Sequence, residues 1–154
     1  MATKSALHFV DENSRDIILD QDEWKWAERG DPVLHIELRD WADVFLIAPL
    51  SANSMAKLAN GICDNLLTCI ARAWGFEAGG KPILVCPAMN PTMWHHPVTL
   101  TQLHILKEYG YHIIDPIEKK VICGDVGLGA MAEPATIVKA LADLLDSINS
   151  ESSG

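Results

Sequence analysis

The sequence predicts an α/β fold, a Rossmann-like parallel sheet with helices on both faces, and three observations carry that expectation. Two short apolar runs, Val44–Pro49 and Pro82–Pro87, have the unbroken hydrophobicity of strands buried on both sides. Stretches with helical apolar spacing lie between and after them. The chain of 154 residues is long enough for one domain with a real core. Strands alternating with helices are the signature of parallel sheet, because parallel neighbours need a crossover connection.

Taken in order, Ile17–Leu19 is a weak strand candidate. Val44–Pro49 follows as the first strong strand. Asn53–Asn60 places Met55, Leu58 and Ala59 on one helical face, with Asn53 or Ser51 as N-cap and Gly61 as the stop. Asp64–Trp74 repeats the pattern through Leu67, Ile70, Ala71 and Trp74. Pro82–Pro87 is the second strong strand. Thr99–Tyr109 is a helix through Leu103 and Leu106, stopped by Gly110, and His112–Ile114 is a second weak strand. Pro134–Ile148 closes the fold with Ile137, Leu141, Leu144, Leu145 and Ile148. One domain over residues 1–146 is expected, with 147–154 as a polar tail.

Composition narrows the function. The apolar fraction is 49%, and 12 Lys and Arg stand against 21 Asp and Glu, a formal charge of −9. Such a chain repels phosphate backbones and anionic lipid, so no nucleic-acid partner is expected. No apolar stretch is long enough to span a bilayer, and no apolar secretion signal follows Met1–Ser5. Cys63, Cys69, Cys86 and Cys123 lack CxxC spacing, which argues against a metal site or a disulfide framework and for a reducing, cytoplasmic setting. Cys63, Cys69 and Cys86 sit in apolar segments and are expected in the core.

In parallel sheets ligands bind outside the carboxyl ends of the strands. Both strong strands run into polar, Pro-bounded loops, Pro49–Ser54 and Pro87–Trp94. The first opens a helix, so its hydroxyls, amide and N–H groups can meet an anion or a flavin edge; alone it reads as an ordinary N-cap. In the second, Asn90 offers donor and acceptor beside the crevice, against the plainer reading of a capping Asn with two core Met residues. His35, just ahead of a helix in Asp31-Pro-Val-Leu-His-Ile, has the chemistry of a general base, although a lone His is more often structural. His8, His95, His96, His104 and His112 read as structural or surface residues. Cys123 lies in a glycine-rich segment with Gly124, Gly127 and Gly129, where a thiol acid and a small buried hydrophobe are equally compatible.

These pieces, His35 in its context, Pro49–Ser54, Pro87–Trp94 and Cys123-Gly-Asp, occur in this order from Ala2 to about Leu145. As an ordered set they resemble the flavin-containing cysteine decarboxylases, in particular the phosphopantothenoylcysteine decarboxylase family with its plant halotolerance-type flavoproteins. The resemblance implies FMN as cofactor and removal of carbon dioxide from 4′-phosphopantothenoylcysteine in coenzyme A biosynthesis. It implies His35 as base, Asn90 as the holder of the substrate carboxylate with Met93 shaping the pocket, and Cys123 as proton donor. Thr3, Ser5 and Phe9 match positions near the FMN phosphate and ring; Ser51, Ala52, Asn53 and Ser54 match flavin contacts, with Asp64 and Asn65 close behind.

The resemblance also implies a homotrimer with shared active sites. Members of the family without the cysteine stop at the oxidised enethiol, so Cys123 argues against a peptidyl-cysteine substrate. The chain departs from the family pattern in lacking its first strand and phosphate-binding turn. Two readings stay open: a piece of a longer parent, preferred because the catalytic positions remain, or a short protein without tight FMN binding. An alternative function is a non-catalytic regulatory or mixed-trimer subunit that binds phosphatases.

Overall fold

The computed structural model describes residues 17–76, 80–120 and 126–151. Three strands form a parallel sheet in the order β1 (Phe45–Leu50), β2 (Ile83–Pro87), β3 (His112–Ile113). Phe45 pairs with Ile83, Ile47 with Val85 and Leu50 with Pro87, while Leu84 pairs with His112. Between Ile47 and Leu50 the register shifts, because β1 spends one more residue than β2 over that stretch. Helices α2 (Ala52–Asn60) and α3 (Leu66–Ala73) connect β1 to β2; α4 (Pro91–Trp94) and α5 (Pro97–Glu108) connect β2 to β3.

The central strand explains the layering. Every residue of β2 is buried, and its side chains alternate between two clusters. Ile83 and Val85 join Phe45 and Ile47 under Met55, Leu58, Ile70, Leu103 and Leu106 from α2, α3 and α5. Cys86 turns to the other face with Leu46 and Ile114, where Ala132, just ahead of α6 (Pro134–Glu151), and Ile137 in its first turn cover it. The expected parallel sheet with helices on both faces is therefore the observed fold. Trp74 closes one edge, its ring 5.3 Å from Phe45 and its Nε1 donating to the Lys81 carbonyl at 2.7 Å. Beside β1 runs an apolar groove of about 780 Å³, lined in part by Ile18, Leu34, Leu38, Trp41 and Val44.

Local chemistry sets the boundaries. Ser51 is the N-cap of α2, resolving the choice between Ser51 and Asn53, and Gly61 ends that helix at φ 70°. Asn65 caps α3 reciprocally with Thr68. The weak strand at Ile17–Leu19 is not formed; Leu19 makes an isolated bridge and the chain turns into a 3-10 helix, Asp20–Trp24. The Asp22 carboxylate accepts from the Leu19 amide at 2.7 Å, so local side-chain bonding overrides extension. His35 lies inside a helix, in the first turn of α1 (Leu34–Trp41), rather than ahead of one. The segment from Ser147, expected as a polar tail, is helical to Glu151, with Ser147 Oγ donating to the Leu144 carbonyl.

Two further elements were not expected. An antiparallel pair, β4 (Ile117–Lys120) and β5 (Val126–Ala130), incorporates part of the glycine-rich segment that reads as a loop. Cys63, expected in the core, is exposed, because it lies in the connector between the Gly61 stop and the Asn65 cap, outside either apolar face. Cys86 is buried as expected and Cys69 is half-buried. Among the described residues no helix is long and apolar enough to cross a membrane.

Burial of Cys86 yields a prediction about alkaline stability. Desolvation pushes its thiol from the ordinary 9.0 up to about 11. The unfolded chain loses that proton first, so this contribution is intact below about pH 9 and is lost as pH rises toward about 11. Urea midpoints measured across that window should fall for the wild-type chain, and Cys86→Ala should flatten part of the fall. Cys69, raised chiefly by its own burial, and Tyr111, which burial pushes up to about 12, contribute to the same fall.

Candidate active site

The carboxyl ends of β1 and β2 are tied together by the Ala88 amide, which donates to the Leu50 carbonyl at 2.9 Å. This bond brings the two loops singled out by sequence to one end of the sheet. On the β1 side, Ser51 Oγ accepts from the Ser54 amide at 3.1 Å and lies 3.2 Å from Ser54 Oγ. Ser51 and Asn53 are exposed, while Ala52 and Ser54 are half-buried. Ahead of the capped Ser54, the amides of Ala52 and Asn53 have no carbonyl one turn earlier, so they are donors with the positive end of the helix behind them.

On the β2 side, Asn90 is the N-cap of α4, its Oδ1 accepting from the Thr92 amide at 2.8 Å. Capping orients the amide: the carbonyl end faces the helix and Nδ2 is carried on the opposite edge. The capping role that sequence offered as the plainer reading is thus real. Met89 is half-buried against the main core, whereas Met93 is 50% exposed, so only Met93 lies outside the core. Trp94 packs against the main core, and Thr99 Oγ1 donates to the Met93 carbonyl at 2.8 Å, fastening the loop to α5.

The loop is also clamped from the far side by β5. The Met89 amide donates to the Gly129 carbonyl at 2.8 Å. A Cβ on Gly129, at φ 147°, would lie 2.4 Å from the Met89 carbonyl oxygen, and one on Gly127 would lie 3.1 Å from Pro91 Cβ. These two glycines serve close approach, whereas the sequence suggested only a turning loop.

His35 is held elsewhere, by a residue that sequence reasoning passed over. Glu23 of the 3-10 turn takes the His35 backbone N–H on Oε2 at 3.1 Å and faces ring Nδ1 through Oε1 at 2.5 Å. It sits in the acidic run Asp20–Glu23, twelve residues before His35, a separation with no helical or strand period to betray contact. Nearby, Lys57 pairs with Asp64 at 2.7 Å, and this hydrogen bond holds the Asp64 carboxyl below its usual range. Thr3, Ser5, Phe9 and Cys123 lie outside the described residues. Among the described residues no group of His, Cys, Asp and Glu is arranged to hold a metal ion.

The donor set at the crevice suits a flavin. Hydroxyls of Ser51 and Ser54, the Asn53 amide and the first amides of α2 can give to ring carbonyls and accept from ring N–H. Because the Gly129–Met89 contact sets the loop position, Gly129→Ala should lower stability by about 1–3 kcal/mol through strain and displacement of the Met89 carbonyl. Thermal unfolding of the variant checks this; an unchanged midpoint would mean the clamp is not tight.

Comparison with known proteins agrees with this geometry. The model of a family described as Flavoprotein matches residues 1–146. A probable phosphopantothenoylcysteine decarboxylase of Arabidopsis thaliana is 57% identical over 142 residues, covering 89% of this chain and 69% of that protein. Phosphopantothenoylcysteine decarboxylase of Mus musculus is 54% identical, over 90% of this chain and 68% of its own length. Among solved structures, a PPC decarboxylase mutant complexed with pantothenoylaminoethenethiol superposes with a TM-score of 0.87 at 52% identity, covering 94% of this chain and 80% of that one. The FMN binding protein AtHal3 follows at 0.82 and 53%, with the same coverage. With flavin-compatible donors at this end of the sheet and these similarities together, the chain belongs to the phosphopantothenoylcysteine decarboxylase family, flavoprotein enzymes whose cofactor is FMN.

Proposed function

We propose that the chain decarboxylates 4′-phosphopantothenoylcysteine to 4′-phosphopantetheine, a step toward coenzyme A, as a cytoplasmic homotrimer whose flavoprotein domain spans residues 1–146. The observation that carries this reading is the joining of the Ser51–Ser54 and Asn90 loops at one end of the sheet by the Ala88–Leu50 bond. A flavin-compatible donor set and a carboxylate-compatible amide thereby share one end of the sheet. The names borne by its relatives, and the complex of one of them with pantothenoylaminoethenethiol, support the substrate class.

Bound FMN would supply a two-electron sink for the substrate's carbon–sulfur unit and return those electrons after carbon dioxide has left. The chain's own residues do the rest. Ser51, Ala52, Asn53 and Ser54 would hold the ring edge, with Thr3, Ser5 and Phe9 toward the phosphate and ring. Asn90 Nδ2 would donate to the substrate carboxylate and fix its plane, and Met93 would flank it with a flexible, half-exposed thioether surface. His35, supplied across the trimer interface by a neighbouring copy of the chain, would accept the substrate thiol proton as the thiol carbon is oxidised to a thioaldehyde. The carboxylate then lies β to the carbon–sulfur double bond, so its electrons can flow into that bond as carbon dioxide departs. Cys123 would give its proton to the carbon of the resulting enethiolate when the electrons return.

The test is direct. The chain mixed with FMN and passed through a sizing column should carry a flavin band in a trimer-sized peak. Supplied with substrate it should release carbon dioxide and 4′-phosphopantetheine. His35→Asn should cost about 10²–10⁴-fold in kcat, and Asn90→Ala should raise KM for the substrate while the flavin band stays. A flavin-loaded trimer without turnover would instead favour a non-catalytic subunit, and wild-type rates in both variants would remove the assigned roles.

A further inference from the structure

We infer that Glu23 is the positioning residue of His35, fixing which ring nitrogen carries the proton and leaving Nε2 as the basic one. The inference rests on the reading of His35 as base. Its geometric part, the fixed tautomer, stands or falls separately.

Glu23 is only 5% exposed, and a carboxylate so buried is costly unless its oxygens are satisfied. Both oxygens are used on one residue: Oε2 takes the His35 backbone N–H and Oε1 faces Nδ1. The backbone bond has a helical cause. Val33, the N-cap of α1, provides no side-chain cap, so the His35 amide in the first turn lacks an intrahelical partner. Glu23 supplies that acceptor from a remote turn, at the end of the helix where negative charge is favoured. With the main chain held by one oxygen, the other can meet the ring in only one way. A carboxylate accepts, so Nδ1 must donate, and Nε2 is left with its lone pair. The His35 side chain is 24% exposed, which leaves part of the ring reachable.

The support is itself anchored. Asp22 of the same 3-10 turn accepts from the Leu19 amide and pairs with Lys25 at 2.6 Å. Asp20 accepts from the Leu66 amide at 3.2 Å, tying the turn to the start of α3. Three carboxylates of one five-residue turn thus hold the turn itself, α1 and α3. This is more than a surface ion pair requires, and it is what a fixed ring orientation needs.

Glu23→Gln tests the idea because glutamine has one acceptor and one donor where glutamate has two acceptors. It has no second oxygen, so it cannot give the His35 amide and Nδ1–H an acceptor each as glutamate does. Histidine-labelled, FMN-loaded protein would be studied by two-bond nitrogen–proton NMR, with His35 assigned from the missing signal in His35→Gln. The wild type should show Nδ1–H with bare Nε2. In Glu23→Gln that pattern should shift toward Nε2–H, with kcat lowered about tenfold or more and KM changed by less than about threefold. A double variant, Glu23→Gln with Val33→Ser, separates positioning from helix capping, because serine at the cap restores an acceptor for the first turn. Recovered thermal stability with a still-shifted tautomer supports positioning. Recovery of tautomer and kcat together would reduce Glu23 to a cap and overturn it. If neither variant folds, the wild-type spectrum decides alone, since Nε2–H there contradicts the inference. Should His35→Gln keep full turnover, the base reading fails while the tautomer spectra still judge the pairing.

Discussion

The burial of β2 on both faces is the constraint from which the rest of the structure follows. A strand with no exposed side must be apolar throughout and must have helices above and below. It must also pair on both edges, which β1 and β3 supply. Once β2 is placed, its carboxyl end and that of β1 emerge together, and the chain has nowhere to put their loops except side by side. The Ala88–Leu50 bond records that outcome. The crevice is thus a product of core packing, not of the polar residues that line it.

Those polar residues perform two jobs each. Ser51 and Asn90 cap short helices while presenting groups to the crevice, so the same hydrogen bonds that end the strands orient the site. This economy makes the loops stiff. On the opposite side, β5 presses against the Asn90 loop with glycines at the two points of closest approach, while α5 fastens it through Thr99. A site built this way has its geometry determined by backbone contacts, which suits chemistry in which the cofactor supplies the reactivity and the protein supplies orientation.

The parts legible in sequence were those governed by local pattern. The two strong strands, the apolar helix faces and the Gly61 stop come from hydrophobic period and backbone preference, and the structure places their bounds within two residues except at the end of α6, which runs three further. The illegible parts depend on contacts between distant segments. Glu23 meets His35 through a turn that Asp22 forces on a segment with the look of a strand. The pair β4–β5 sets Ile117, Val126 and Leu128 among Glu, Lys and Gly, residues that advertise no strand, and it lies against the Asn90 loop. Cys63 has apolar neighbours in sequence but falls where two helix signals leave a gap. Asn90 and Ser51 were singled out because loops after parallel strands are where sites form, a rule of topology that needs no contact information.

The register shift in β1 has a consequence for how the strand hands over to the crevice. Phe45 and Ile47 point into the core, and strict alternation would continue with Pro49 inward and Leu50 outward. The extra residue reverses that parity: Ala48 and Pro49 both lie outside and Leu50 returns to full burial. Ser51 is therefore delivered to the open side with its hydroxyl over the first turn of α2. Shortening this stretch by one residue would exchange the two, sending a capping hydroxyl inward and a leucine into the crevice. The irregularity is the switch that makes the end of a core strand the beginning of a polar site.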